Sequence, residues 1–141
     1  MYVLDTDHFT WLEWSEGKER LNLLRRLSLV PPDSVFTTII TYEEQTRGWM
    51  AHAAQARTNV QQINAYRKLK RHLDIYCRTQ ILEFDDAAAA EFERLQRFRL
   101  RVGTMDLKIA SIALAHNATV LTCNLKDFTR VPSLSVENWT T

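Results

Sequence analysis

Tyr2-Val3-Leu4-Asp5-Thr6-Asp7 sets three β-prone apolar residues directly before an acid, a threonine and a second acid. Tyr2 to Leu4 reads as a short strand. Thr6 or Asp7 then caps a helix carrying Phe9 and Leu12, with Trp11 and Trp14 three apart on one face. Strand followed directly by helix is the unit that repeats along the chain. Leu21, Leu24 and Leu27 mark a second helix, which Pro31-Pro32 ends. Ser34 to Ile40 is β-branched and apolar enough for a buried second strand, and Thr41-Tyr42-Glu43-Glu44 has the spacing of a capping box for the helix after it.

A long helical region follows, with Val60, Ile63, Tyr66, Leu69, Leu73 and Tyr76 as its apolar stripe and a break near Arg57 to Asn59. Gln80 to Phe84 reads as strand three. Asp85-Asp86 caps the next helix, which carries Ala88, Phe92 and Leu95 and runs to Leu100. Gly103 interrupts, and Thr104 caps a helix from Met105 to about His116, with Ile109, Ile112 and Ala113 inward. Ala118 to Cys123 is strand four, and Ser133 to Glu137 a short strand five. Strands alternating with helices require right-handed crossovers, so the expected fold is α/β: three layers, α/β/α, around a four- to five-stranded, mostly parallel sheet. With 141 residues, residues 1–141 are expected to form a single domain.

Composition agrees with an ordinary globular chain: 45% hydrophobic, 25% charged, 3 Gly and 3 Pro. No apolar run approaches the length of a membrane span, and no secretory leader pattern stands at the N-terminus. Cys77 and Cys123 are too few and too far apart in sequence for a disulfide framework or a paired zinc motif, which points to reduced thiols in the cytoplasm. The formal net charge is +1, but basic residues cluster. Arg57, Arg67, Lys68, Lys70, Arg71 and Arg78 face one acid, Asp74, in their stretch, and Arg94, Arg97, Arg99 and Arg101 form a second group. Such groups neutralise phosphates, or simply coat a solvated helix.

Ligands of open parallel sheets sit at the carboxyl ends of the strands. Asp5 ends strand one, Glu44 lies in the first turn after strand two, Asp106 lies in the first turn of a helix, and Asn124 and Asp127 follow strand four. Gathered carboxylates repel one another and raise each other's pKa unless a cation sits between them. Their oxygen ligands favour Mg²⁺ or Mn²⁺ over zinc, and such an ion can activate water for phosphodiester hydrolysis. Each residue also has a structural explanation: Asp5 as a cap, Glu44 through the capping box, Asp106 through the helix dipole, Asp127 as a turn residue.

Read together, these segments resemble the PIN-domain ribonucleases, and within them the VapC-type toxins of bacterial toxin-antitoxin pairs. The resemblance rests on Tyr2 to Asp7, Thr38 to Gly48, Gly103 to Ala110 and Leu121 to Phe128, with Val131 to Trp139 also similar. It implies a metal-dependent endoribonuclease with Mg²⁺ or Mn²⁺ as cofactor, RNA as substrate, frequent homodimerisation and a VapB-type antitoxin as partner. By position it implies Asp5, Glu44, Asp106 and Asn124 as catalytic residues, with Asp5, Asp106, Glu44 and Asp127 holding metal. Glu43 is the alternative to Glu44, and Asp7 is an extra acid where the family often has Asn. Thr122, Arg47, Arg99 and Arg101 are expected on the substrate, among further basic candidates Arg57, Arg67, Lys68 and Arg97. Trp11 and Trp14 pack in the core or line a groove for antitoxin or dimer partner, and Trp139 anchors the last strand.

Two other readings stand beside this one. Asp5-Thr6-Asp7 looks like the nucleophile motif of haloacid-dehalogenase-type phosphatases, although Phe9 and the lack of a convincing catalytic lysine speak against it. A PIN-like RNA- or protein-binding module without catalysis would gain nothing from clustered acids.

Overall fold

A computed structural model describes all residues, 1–141. The strands are β1 (Tyr2–Leu4), β2 (Val35–Thr38), β3 (Ile81–Leu82), β4 (Thr119–Leu121) and β5 (Ser135–Glu137). They form one sheet in the order β3-β2-β1-β4-β5, with every pair parallel. The helices are α1 (Thr6–Trp14), α2 (Lys18–Leu27), α3 (Ile39–Gln55), α4 (Asn59–Cys77), α5 (Asp86–Gln96), α6 (Thr104–Ala115) and α7 (Leu125–Phe128).

The pleat separates two cores. Val3 and Val120 point to one face, against Leu95 of α5, Ile109 and Ile112 of α6 and Phe128 of α7. Leu4 and Leu121, one residue on, point to the other, against Phe9, Leu23, Ile75, Tyr76 and Trp139. Because successive side chains alternate, both faces must be covered by helices and the central strands are largely apolar, the buried Thr37 of β2 being satisfied by donating to Leu4 O at 3.0 Å. This is the expected three-layer α/β/α arrangement. Chain order reverses beside β1: β2 and β3 extend on one side, β4 and β5 on the other. The crevice at the carboxyl ends of β1 and β4 is therefore the switch point where open α/β sheets bind ligands.

Several local expectations change. β2 ends at Thr38 rather than Ile40, because the Thr38 side chain accepts from the Thr41 backbone N–H and starts α3 three residues early. Thr41 is consequently buried inside the helix and forms no capping box with Glu44. A capping box does occur, at Thr58 and Gln61. Of the three cap candidates Asp5, Thr6 and Asp7, it is Asp5 that caps α1, and Gly103 rather than Thr104 precedes α6. β3 and β4 are shorter than the apolar runs that carry them, and α5 ends at Gln96, short of Leu100.

The largest change concerns α4. Val60, Ile63, Tyr66 and Leu73, expected as core, are 77%, 52%, 60% and 50% exposed. Tyr76 is buried as expected, and the inward face otherwise carries Ala65, His72 and Ile75. His72 takes a core place because its Nε2 pairs with the Thr46 hydroxyl at 2.8 Å and its ring stacks on Tyr42. Trp139 does anchor the end of the chain: it is 5% exposed, with Nε1 donating to Glu137.

Candidate active site

Asp5 stands at the switch point. Its backbone N–H donates to Leu121 O at 3.0 Å, continuing the β1–β4 ladder by one residue. Its Oδ1 accepts from the Thr6 N–H at 2.8 Å, and its Oδ2 from the Thr122 hydroxyl at 2.8 Å. It is therefore the α1 cap and a rim acid at once, and it is only 5% exposed. A serine or threonine would cap as well without placing a charge there, so the cap alone does not account for an acid.

Glu44 reaches the same place from α3. The Thr6 hydroxyl lies 3.3 Å from Glu44 Oε2, while Glu44 Oε1 is buried with no hydrogen-bond partner. With the Thr41–Glu44 capping box absent, the structural explanation for a glutamate at this position falls away. Glu43, one residue earlier, instead pairs with Arg47 on the outer side of α3.

From the β4 side, the Asn124 side-chain amide donates to Asp106 Oδ2 at 3.3 Å and to Asp127 Oδ2 at 3.1 Å. The Asn124 backbone N–H donates to the Thr122 hydroxyl at 2.9 Å. Thr122 thus links Asp5 to the Asn124–Asp106–Asp127 group. Asp7 also enters this network: its Oδ2 accepts from the Cys123 N–H at 2.9 Å and lies 3.2 Å from the Thr122 hydroxyl.

Burial pushes the Asp5 carboxyl from 3.8 up to about 7, helped by the Asp7 charge and, more weakly, Asp106. Burial also raises Glu44, with Asp106 and Glu43 adding repulsion. Asp106 rises through burial and the Asp127 and Asp7 charges. No cation balances these carboxylates within the protein except Arg130 at the rim, whose Nη1 is 3.6 Å from Asp127. An uncompensated acid cluster with an unpaired, buried carboxylate oxygen fits a divalent cation, and an all-oxygen donor set fits a hard one.

Asp7, His8 and Cys123 form a second group whose ligand atoms lie within 4.8 Å of one another. His8 Nε2 accepts from the Trp139 backbone N–H at 3.0 Å, so the ring proton sits on Nδ1 and donates to Asp7 Oδ1 at 2.9 Å. A metal on Nδ1 would have to displace that proton, so this trio ties the C-terminal segment to α1 instead.

Of the residues singled out from sequence, Asp5, Glu44, Asp106, Thr122, Asn124 and Asp127 come together. The arginines do not join them. Arg47 is exposed and held by Glu43. Arg99 and Arg101 are exposed in the α5–α6 connection, where Arg101 contributes only its backbone O, to Arg130. Thr6 and Arg130 touch the acids and were not anticipated as site residues. Thr6 lay hidden behind its role as a cap candidate, and Arg130 lies two residues past the end of α7, in a turn that no spacing rule ties to Asp127.

A family profile described as PIN domain matches residues 2–134. Ribonuclease VapC1 of Haemophilus influenzae (strain R2866) is 29% identical over 141 residues, covering 99% of this chain and 98% of that protein. Ribonuclease VapC2 of Rickettsia felis is 40% identical over 72 residues, which is 48% of this chain and 54% of that protein. Among solved structures, VapBC-1 from nontypeable Haemophilus influenzae matches with a TM-score of 0.75 at 25% identity, covering 99% of this chain and 98% of that one. VapBC2 from Rickettsia felis, bound to a DNA fragment from its promoter, matches with a TM-score of 0.74 at 26% identity, covering 98% of each chain.

Proposed function

The chain belongs to the PIN-domain family, and from that premise we propose that it is a metal-dependent endoribonuclease, the toxin of a toxin-antitoxin pair. The observation that carries this reading is the convergence of Asp5, Glu44 and Asp106 at the switch point, with burial raising all three carboxyls. Clustered acids that destabilise the protein on their own need a cation to justify them, and RNA hydrolysis is the chemistry of the named relatives.

Asp5, Glu44, Asp106 and Asp127 would hold Mg²⁺ or Mn²⁺. When bound, the ion supplies charge neutralisation and Lewis acidity toward a phosphate oxygen. The chain's own groups orient the site. Thr122 and the Thr6 N–H fix the Asp5 carboxylate from two sides. Asn124 spaces Asp106 from Asp127 and keeps both aligned by donating to each. Arg130, beside Asp127, is the cation best placed to meet a phosphate at the rim. Arg47, Arg99 and Arg101 contribute, on this reading, as exposed charges that attract RNA from a distance.

The solved relatives are VapBC complexes, and a VapB-type antitoxin is the partner proposed for this chain. The outward stripe of α4 offers apolar area to it or to a second copy in a homodimer. No helix is long and apolar enough to cross a membrane, and the cytoplasm is the compartment that fits the proposed action on cellular RNA. The phosphatase reading calls for a lysine at Asp5, yet the ionisable groups acting on Asp5 are Asp7 and Asp106.

The test is incubation with total cellular RNA and Mg²⁺ or Mn²⁺, with new 5′ ends mapped by sequencing beside Asp5→Ala and Asp106→Asn. Metal-dependent cuts lost in both variants are expected. Identical ends from all three proteins would mark a contaminant and leave the non-catalytic binding module as the reading to pursue.

A further inference from the structure

Outward from Glu44, α1 and α3 run side by side and meet in three successive rungs. The first is Thr6 with Glu44. In the second, Gln45 Nε2 donates to the Thr10 hydroxyl at 3.0 Å. In the third, Trp14 and Trp49 pack with ring centroids 4.4 Å apart and planes tilted by 40°. Beyond the second rung lies an open groove of about 420 Å³, lined by Thr10, Trp14, Gln45, Gly48, Trp49 and His52. Two helical turns from Thr6 to Trp14 put the tryptophans roughly 11 Å along α1 from the acidic cleft, within the reach of one or two nucleotides.

Gly48 is the informative residue. It lies inside α3, where glycine weakens a helix relative to alanine. Its φ is not in the left-handed region, and a Cβ built there meets nothing within 4 Å. Neither backbone conformation nor crowding asks for glycine, but any side chain at 48 would stand in the open volume that Gly48 lines. The aromatic pair is also cation-capped. The Arg71 guanidinium covers Trp14, 4.4 Å from its ring centroid, while donating to Glu13 O, and Lys68 Nζ, 5.9 Å from the Trp49 centroid, is the cation left for phosphate. Rings for stacking with cations for phosphate are the combination that holds single-stranded nucleic acid.

Gln45 has a fixed orientation. The Tyr76 hydroxyl donates to its Oε1 at 2.6 Å, and Thr10, whose own hydroxyl donates to Thr6 O at 2.7 Å, accepts from its Nε2. One amide hydrogen of Gln45 is left over as a donor at the groove. We propose that this groove is a nucleobase subsite: one unpaired base of the RNA, one or two nucleotides from the bond at the acidic cleft, stacks against Trp49, which Trp14 backs, and accepts from the Gln45 amide. The subsite rests on the nuclease reading for the identity of its ligand. It requires the strand to be single there.

The experiment measures binding and cutting separately. Binding of ten-nucleotide homopolymer RNAs in chelator is followed by quenching of tryptophan fluorescence, for the wild type, Gly48→Leu, Trp49→Ala and Trp49→Phe. Cutting of a mapped substrate in Mn²⁺ is compared with copies carrying one abasic nucleotide at each position in turn. Gly48→Leu fills the groove without disturbing packed neighbours, so it keeps the test valid even if Trp49→Ala unfolds. The expected result is about tenfold weaker binding for Gly48→Leu and Trp49→Ala, with Trp49→Phe close to wild type. A single abasic position near the cut should impair the wild type and leave Gly48→Leu no worse than it already is.

Wild-type affinity in Gly48→Leu with cutting intact overturns the subsite and leaves the nuclease standing. RNA binding that depends on Gly48 in a protein that never cuts sustains the groove and overturns the nuclease, no binding with cutting intact overturns the subsite alone, and neither binding nor cutting overturns both. A Gly48→Leu protein that binds RNA normally but escapes its antitoxin marks the groove as a protein-docking site, which also overturns the proposal.

Discussion

Asp5→Asn should stabilise the metal-free protein while abolishing its activity. The Asp5 carboxyl rises from 3.8 to about 7 on folding. An acid whose pKa is raised in the folded state binds more protons folded than unfolded between those values, so it costs stability as pH increases. At pH 8 the full shift corresponds to about 4 kcal/mol, at pH 5 to roughly 1.5 kcal/mol, and at pH 4 to under about 1 kcal/mol. Asparagine removes the charge without orphaning a partner. Its Oδ1 can still accept from the Thr6 N–H, and its amide can donate to the Thr122 hydroxyl, which then turns its own proton to Asp7 Oδ2, 3.2 Å away.

The assay is thermal and urea unfolding in chelator at pH 4, 5, 6.5 and 8. Asp5→Asn should exceed the wild type by roughly 2–4 kcal/mol at pH 8, the lower figure allowing for relaxation around the ionised carboxylate. That corresponds to a Tm gain on the order of 5–10 °C. The gap should narrow steadily toward pH 4. Saturating Mn²⁺ should raise the wild type and leave the variant unmoved. A variant no more stable than wild type at pH 8, or a gap independent of pH, would refute the claim that burial holds this carboxyl high.

Asp106→Asn should lose metal-dependent cutting together with the Mn²⁺-induced rise in stability, which in wild type should reach about 2.7 kcal/mol at a hundredfold excess over Kd; calorimetry with Mn²⁺ checks both. Thr122→Val removes the hydroxyl that donates to Asp5 and accepts from Asn124; it should cost about 1–3 kcal/mol in denaturant unfolding and weaken Mn²⁺ binding in a titration. Thr58→Ala breaks the α4 capping box and should cost about 1 kcal/mol with cutting rates unchanged, separating fold stability from the site.

The alternation of short apolar runs with helical stripes was enough to specify a three-layer parallel fold. Strands buried on both faces are largely apolar, and parallel pairing demands crossover helices. The acids were legible for a related reason: Asp5, Glu44 and Asp106 follow at once on apolar or helix-opening segments, where charge needs a justification. Their convergence was not legible. Distances of 38 to 117 residues along the chain, as between Thr6 and Glu44 or Asp5 and Thr122, close only when the strand order reverses beside β1.

Local propensity also misassigned what tertiary contacts settle. Thr41-x-x-Glu44 satisfied the capping-box pattern, yet Thr38 captured the helix start, freeing Glu44 to face Thr6. On α4, period alone could not choose between two stripes. The inner one went to Ala65 and His72, because a small residue and a satisfied imidazole fit there while Val60, Ile63, Tyr66 and Leu73 remain outside. Residue types and spacing thus determined the layers and the list of acids. Which carboxylates share one cleft, which threonine and asparagine hold them, and that the groove between Trp14 and Trp49 lies beside them depended on how the sheet is ordered and how α1 and α3 pack. Those relations arise between residues far apart in the chain, where no local rule acts.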